Sequence, residues 1–279
     1  LAHKHAPTTY KGIKAPRKST GNQLEINLTD HHFGKLAWPP ETGGEPYDLA
    51  IAEAIWDKAI DCLITRAKAF DIEKVLFVFG NDLHHFDNRS NTTFRGTPQD
   101  ADSRYRKVVR TVQRSVIRAI DKLLTVAPVD AIAMPGNHDE ESSLHLADYL
   151  KAWFRFAKDV SIDGEPAHRK YYEWGSVLIG IAHGDVVKLE NLPRLMAVER
   201  PDLWAKCPIR EWHTGDKHQR KVIEDHGVAV RILPSLVPPD DWHSKQGYIG
   251  NQRMTESFIW NKREGQIGSF NYTYLGEGN

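Results

Sequence analysis

Five short polar clusters, each directly after an apolar run, recur along the 279-residue chain in a fixed order. The clusters are Asp30-His31-His32, Gly80-Asn81-Asp82, Gly136-Asn137-His138-Asp139, His183-Gly184-Asp185 and Gly215-Asp216-Lys217-His218. Between them, apolar strand-like runs alternate with segments of helical spacing, which predicts an α/β fold. Loops beyond the carboxyl ends of the strands converge in such sheets, so we expect the five clusters to meet in one pocket.

Periodicity and turn residues place the individual elements. We predict strands over residues 24–29, 74–79, 129–134, 176–182 and 209–214. We predict helices over residues 47–70, 98–125 and 142–158, with a shorter helical stretch over 189–206. Two hairpins are expected in the tail, over 221–233 and 257–274. The polar segment 83–99 is too long for a simple connector and is a candidate substrate loop.

The opening of the chain differs from the rest. Residues 1–24 carry five Lys or Arg and no acidic residue, so residues 1–23 are predicted to be a basic linker or arm, followed by a single domain over 24–279. The sequence does not begin with Met. Two interpretations stay open: the arm belongs to a longer protein with a further upstream domain, or it is an ordinary terminus.

Composition limits the class of protein and its partners. Thirty-seven basic and 37 acidic residues balance, so binding to nucleic acid or a membrane would need a local patch. The apolar runs are far too short to span a bilayer, and no membrane association is expected. Cys62 and Cys207 have no zinc or redox spacing, so we predict unpaired thiols and a cytoplasmic protein. The tryptophans are predicted to be mainly core, with Trp242 in a polar loop the exception. The oligomeric state is not indicated.

The five clusters together supply carboxylate, imidazole and carboxamide groups. This mixed set of oxygen and nitrogen ligands suits a pair of divalent transition ions. Any one cluster alone would fit a turn or a helix cap equally well. Turn and cap chemistry gives no reason for all five in this order, so the series predicts a dinuclear metal hydrolase.

In residues 25–235 the series resembles the calcineurin-like metallophosphoesterase superfamily, whose pattern is D-x-H, G-D, G-N-H-D/E, a later H and G-H-x-H. The resemblance implies two stacked mixed β-sheets flanked by helices. It implies that Asp30, His32 and His218 bind one metal, while Asn137 and His183 hold the second. Asp82 would bridge the two ions. Mn²⁺ is the favoured metal, with Mg²⁺, Zn²⁺ and Fe left open.

The same resemblance implies a mechanism of phosphoester hydrolysis. Hydroxide held between the ions would attack phosphorus in line. His138 would protonate the leaving oxygen, and Asp139 would orient its ring. His85, three residues after Asp82, matches the G-D-x-x-H arrangement of the DNA-repair exonuclease branch, where this histidine contacts the scissile phosphate.

The chain departs from the family pattern at two positions. Asn81 is inserted between Gly80 and Asp82 in the second cluster. Asp216 replaces the first histidine of G-H-x-H, which adds hard-oxygen character and favours manganese or magnesium over zinc. Either Asp216 is a ligand of the second metal, or His213 turns inward in its place.

The substrate is the least determined part of the sequence interpretation. A basic stripe at i, i+4 spacing is formed by Arg106, Arg110, Arg114, Arg118 and Lys122. It is either an ordinary solvated face or a contact surface for a phosphate backbone. We favour a phosphodiesterase or nuclease with DNA as partner. The alternatives are a small-molecule or cyclic-nucleotide phosphodiesterase, a protein phosphatase, and a degenerate metal-binding scaffold without catalysis.

Overall fold

The computed structural model describes Ala6 and residues 19–276. The strands in this part of the chain are β1 (Asn22–Asn27), β2 (Ile72–Gly80), β3 (Val129–Met134), β4 (Val160–Asp163), β5 (Arg169–Trp174), β6 (Val177–Ala182), β7 (Ile209–Thr214), β8 (Lys221–Asp225), β9 (Val228–Ile232), β10 (Met254–Asn261) and β11 (Gly265–Thr273). The α-helices are α1 (Pro39–Thr42), α2 (Leu49–Ala67), α3 (Tyr105–Leu123), α4 (Glu140–Trp153), α5 (Leu192–Glu199), α6 (Pro201–Lys206) and α7 (Asp241–Gln246).

The strands form two mixed sheets. The first has the order β11-β10-β1-β2-β3-β4, in which β1 to β4 are parallel and β10 and β11 are antiparallel additions. The second has the order β5-β6-β7-β9-β8, with β6, β7 and β9 parallel between two antiparallel edge strands. The predicted α/β class with two stacked mixed sheets is confirmed.

Alternate residues of the central strand β2 reach different layers of the core. Val75 and Phe77 pack in the cluster shared with α2, α3 and α4, whereas Leu76 and Val78 pack against β6 of the second sheet. On the far side of that sheet, α5 and α6 cover a third cluster that includes Trp212. Because both faces of each sheet bury apolar side chains, the central strands β2, β3 and β6 are mainly apolar runs.

Most predicted elements are present, but one helix begins later than predicted, and some short elements were not predicted. The helix predicted from residue 98 begins at Tyr105, because residues 91–99 instead fold back on themselves, with Gln99 N–H donating to the Asn91 carbonyl at 2.8 Å. The loop that starts at residue 83 is therefore longer than expected. Strand β4 was not predicted, because a four-residue edge strand with no fully buried side chain gives little periodic signal.

Several expectations concern features away from the site. Residues 1–5 and 7–18 of the predicted basic arm lie outside the described residues, so that prediction stays open. Cys62 and Cys207 are not disulfide-bonded. None of the helices in the described part of the chain has the length and apolar character to cross a bilayer. Trp242 is exposed, as predicted, but it lies in α7 and not in a loop, and Trp38 is exposed as well.

Candidate metal centre

The polar clusters meet where the strands end. Asp30, Asp82 and Asn137 follow the parallel strands β1, β2 and β3, whose carboxyl ends lie side by side. His183 follows β6 of the second sheet and contacts Asn137 of the first, with its Nε2 2.9 Å from Asn137 Oδ1. His218 follows β7 and reaches His32 across the same gap. The predicted convergence of residues 30 to 218 is what the structure shows.

The backbone of the site is held in an uncommon conformation. Six site residues have positive φ angles between 48° and 66°, namely Asp30, His32, Asn81, Asp82, Asp216 and His218. This left-handed region is unfavourable for residues other than glycine, although Asn, Asp and His tolerate it best. Such strained conformations persist only where the surrounding structure imposes them, and they occur most often at functional sites. The tight turns aim these side chains inward at the strand ends.

The first group of potential ligands is Asp30, His32 and His218, whose donor atoms lie within 4.8 Å of one another. His218 Nε2 is 3.4 Å from Asp30 Oδ1 and 3.3 Å from His32 Nε2. Burial holds the pKa of His32 well below its usual value, so this ring is neutral and its nitrogen carries a lone pair. A neutral imidazole is the form that binds a metal.

The second group surrounds His183. Its Nε2 lies 3.2 Å from Asp82 Oδ2, in addition to the Asn137 contact, while its Nδ1 pairs with Asn81 Oδ1 at 2.7 Å. If Nδ1–H donates to Asn81 and a metal displaces the proton from Nε2, the Nε2 lone pair would face Asp82 and Asn137. Asn81, the inserted residue of the second cluster, thus fixes the orientation of a candidate ligand through its second ring nitrogen, as is common for histidines at metal sites.

The buried carboxylates of the site create a negative charge that bound cations would neutralise. Burial alone would lower the pKa of His183, but the carboxylates of Asp82, Asp30 and Asp216 outweigh it and raise this pKa to about 10. Burial raises the pKa of Asp82, which also faces the carboxylate of Asp139. A divalent ion would neutralise the same carboxylates that otherwise favour a proton on His183.

Two glycines allow this close packing of carboxylates. A Cβ on Gly136 would overlap Asp82 Oδ1, and a Cβ on Gly215 would come within 2.6 Å of Asp30 Oδ2. Asp30 belongs both to the group with His32 and His218 and to a group with Asp82 and His183. The residues present therefore fit two neighbouring divalent ions held by carboxylate, imidazole and carboxamide donors.

Asp216 lies at the edge of the second group. Its Oδ1 is 3.9 Å from His183 Nε2, its backbone N–H donates to both Asp30 oxygens at 3.0 Å, and its Oδ2 pairs with Lys217. This position is compatible with a ligand that completes the group around His183. It also links the two groups, because the same residue holds Asp30 through its backbone.

His213 does not substitute for Asp216. It is fully buried between the sheets, with Nδ1 2.6 Å from Glu25 Oε1 and Nε2 3.1 Å from Glu211 Oε1. Burial alone would lower its pKa, but these carboxylates raise it to about 9. Both ring nitrogens are engaged, so the alternative that His213 turns to the metal centre is wrong.

We expect Asp216→Ala to weaken binding of one of two ions while leaving the other in place, and Asp216→His to shift preference toward zinc. Isothermal titration calorimetry with Mn²⁺ and with Zn²⁺ measures the number of ions bound and the affinity for each metal. Asp202→Ala is a suitable control, because Asp202 is an exposed aspartate whose carboxylate pairs with Arg200. Unchanged affinities in Asp216→Ala would remove Asp216 from the ligand set.

The predicted catalytic residues lie beside the first group, but one has another role. His138 Nδ1 pairs with the His85 carbonyl at 2.8 Å, and the two rings stack with centroids 5.4 Å apart. The carboxylate of Asp139 accepts backbone N–H groups of Gly136, Asp82, Leu83 and His84 at 2.9–3.1 Å. The prediction that Asp139 orients the His138 ring is therefore wrong. It fixes the turn that presents Asp82, because its oxygens are directed at that backbone.

His85 is placed with His32 and His138. Its Nδ1 is 3.3 Å from His32 Nδ1, and the donor nitrogens of the three histidines lie within 4.8 Å of one another. Burial keeps the pKa of His85 well below its usual value, so the ring is neutral. Its position next to the first group suits the predicted contact with a phosphate oxygen, provided that its ring N–H is the donor.

The site opens into a pocket of about 950 Å³. One wall is the long loop, through Thr93 and Thr97, as the sequence analysis expected of a substrate loop. The opposite wall is α7 and the turn after it, which the sequence analysis did not assign to the site. That wall is anchored by the fully buried Lys35, whose Nζ lies 3.1 Å from Asp240 Oδ2. The sequence does contain a feature that could have placed this wall at the site. Residues 240–243 form a sixth polar cluster after the apolar stretch 228–237.

Solved structures with a similar fold can be found, although no protein-family model matches the chain and no curated protein matches it significantly. An archaeal phosphodiesterase is 14% identical, with 91% of this chain and 99% of that one covered and a TM-score of 0.40. Zinc-bound Vps29 from Entamoeba histolytica is 12% identical, covering 90% and 98%, with a TM-score of 0.36. A conserved uncharacterised protein from Streptococcus pneumoniae TIGR4, described as a predicted phosphoesterase, is 12% identical, covering 91% and 98%, with a TM-score of 0.31. At these identities and TM-scores, the matches carry no argument about activity.

Proposed function

We propose that the protein is a metal-dependent phosphodiesterase that cleaves nucleic acid, with DNA as the favoured substrate. The observation that carries the proposal is the pair of overlapping donor groups that line the pocket, which share Asp30. Bound divalent ions would supply positive charge for phosphate oxygens and would lower the pKa of water so that hydroxide forms near neutral pH.

The side chains around these groups suit the remaining tasks of ester hydrolysis. His138 is fixed by the His85 carbonyl through Nδ1, so its Nε2 faces the pocket, 4.0 Å from Asp82 Oδ2. A histidine that is held at one nitrogen and open at the other is suited to protonate a leaving oxygen. His85 stacks on His138, and both His85 and Asn137 line the pocket, where they offer N–H donors for the non-bridging oxygens.

The basic stripe supports this proposal only in part. Arg118 donates to Glu53 at 2.8 Å and to Asp57 at 2.9 Å, and Lys122 lies 2.9 Å from Asp61. The carboxylates of α2 neutralise this end of the stripe, so its interpretation as a contact surface for phosphates is wrong there. It is a helix–helix ion-pair network.

The other end of the helix supports a nucleic-acid substrate. Arg89, Arg104 and Arg106 are exposed and line a cleft of about 540 Å³ at the start of α3. Within residues 19–276, no ion pair involves any of these three guanidinium groups. The cleft adjoins the long loop that walls the metal pocket, so a strand bound at the metal centre would pass close to these cations.

The first experiment is a substrate panel with Mn²⁺, Mg²⁺ or Zn²⁺ added to protein stripped of metal. The panel contains single- and double-stranded DNA, RNA, a cyclic nucleotide, a phosphopeptide, and matched chromogenic mono- and diesters. We expect hydrolysis that requires a divalent ion and is fastest on nucleic acid. Faster hydrolysis of the cyclic nucleotide or the phosphopeptide than of nucleic acid would show that the proposed substrate class is wrong. Binding of two ions without turnover of any ester would identify a scaffold.

We expect Arg104→Glu with Arg106→Glu to weaken DNA binding and flatten its salt dependence. The log–log slope should fall by about 0.7–0.9 for each phosphate that the variant no longer neutralises. The control is Arg263→Glu, because Arg263 is exposed in the β10–β11 turn at the opposite end of the first sheet. Fluorescence anisotropy at several salt concentrations measures the slope. Equal slopes in both variants would exclude the cleft from the DNA path.

A further inference from the structure

Three exposed apolar side chains stand at the rim of the metal pocket, on α7 and the turn that follows it. Trp242, Tyr248 and Ile249 are 57%, 59% and 63% exposed, and all three line the pocket. The rings of Trp242 and Tyr248 lie with centroids 5.7 Å apart. Single exposed apolar residues are ordinary, but a group of three beside a polar centre indicates a binding surface.

The segment that carries these rings is held at both ends. Asp240 caps α7 by accepting the His243 N–H at 2.9 Å, while its other oxygen pairs with the buried Lys35. After the turn, Asn251 Nδ2 donates to the His218 carbonyl at 3.1 Å. The two aromatic rings are therefore presented by a fixed segment, so little ordering would be needed when a ligand binds.

A chain of ring contacts joins this surface to the metal centre. His243 stacks on His218 with centroids 5.5 Å apart, and Trp242 meets His243 edge-on at 5.0 Å. A ligand with its phosphate at the donor groups would thus have its neighbouring group beside Trp242. Gln219, Lys245 and Gln252 also line the pocket and offer hydrogen-bond donors and acceptors.

We propose that Trp242 and Tyr248 form a base-stacking subsite, so that the substrate is a nucleotidyl diester whose base lies on these rings. A nucleotide combines a flat aromatic base with an anionic phosphate in one molecule. Aromatic side chains can stack on any of the bases, because every base has a π face. The inference rests on the proposed function and narrows its substrate class. A stacked base typically strengthens binding about 5- to 150-fold.

The first test compares two diesters with the same leaving group, thymidine 5′-p-nitrophenyl phosphate and methyl p-nitrophenyl phosphate. In Trp242→Ala, the ratio of kcat/KM for the thymidine ester to that for the methyl ester should fall at least about 5-fold. Trp242→Phe should restore most of it. Phe156→Ala is the control, because Phe156 is 51% exposed but does not line the pocket. An unchanged ratio in Trp242→Ala overturns the subsite.

The second test separates the subsite from the activity. Anisotropy compares a short labelled dT phosphorothioate strand with an abasic strand of equal length, bound to the metal-loaded protein. Trp242→Ala should lose affinity for dT at least about 5-fold more than for the abasic strand. Equal losses on both strands overturn base stacking. If this difference appears while the wild-type protein hydrolyses no ester, the subsite is supported and the proposed phosphodiesterase activity is wrong.

Discussion

Asp82→Asn is expected to abolish metal-dependent hydrolysis and to remove both ions from the site. Asp82 belongs to the donor group that contains Asp30 and His183, with Oδ2 3.2 Å from His183 Nε2, and in the proposed arrangement it has the bridging role next to the shared Asp30. A carboxamide has one oxygen and no charge, so it cannot serve two ions. The loss in kcat/KM should exceed the ~10–100-fold typical of groups that only support a ligand. Steady-state kinetics and metal analysis of the purified variant measure the two effects.

The same substitution should not damage the fold, which makes the result decisive. Burial raises the pKa of Asp82, and the Asp139 carboxylate faces it, so the ionised form is costly without metal. In chelator, the Tm of Asp82→Asn should equal or exceed that of the wild type, while the rise in Tm on adding metal should be lost. The isosteric control is Asp130→Asn, because Asp130 lies within β3 and pairs with Lys74 away from the pocket. Full activity with one ion per chain would disprove the dinuclear arrangement.

The fold was largely predictable because β2, β3 and β6 are short apolar runs, each ended by a polar turn. Such runs are buried on both faces, and the layers of the fold follow from that requirement. The start of α3 was not predictable from periodicity. Helical spacing continues toward residue 98, and only the backbone hydrogen bonds within 91–99 show that the loop competes successfully for those residues.

The convergence of the candidate ligands was predictable from the sequence, but the contacts of their supporting groups were not. Asp30, Asp82 and His183 stand at strand ends, where position alone brings them together. The hydrogen-bond partners of Asp139 depend on the direction in which the turn after β3 points its carboxylate. The spacing of residues in the sequence does not determine that direction. His213 follows Trp212, which packs in the third cluster, so the pleat of β7 directs His213 to the opposite face, between Glu25 and Glu211.

His138→Ala is expected to lower turnover by about 10²–10⁴-fold while leaving both ions bound. Nδ1 of this ring is held by the His85 carbonyl and Nε2 faces the pocket, which is the geometry of a proton donor to a leaving oxygen. The defect should be large for esters with poor leaving groups, such as an alkyl alcohol. It should shrink for p-nitrophenol, because that leaving group departs without a proton.

Metal analysis decides between this role and direct ligation, because the His138 nitrogens also lie near those of His32 and His85. If His138 is a ligand, the alanine variant loses an ion and fails equally on good and poor leaving groups. If it is the proton donor, metal content stays constant and the sensitivity of kcat to leaving-group pKa becomes steeper. His145→Ala is the matched control, because His145 is exposed on α4 and does not line the pocket. The slope of log kcat against leaving-group pKa therefore tests His138 separately from the metal centre, since a loss of metal would displace the whole line without changing its slope.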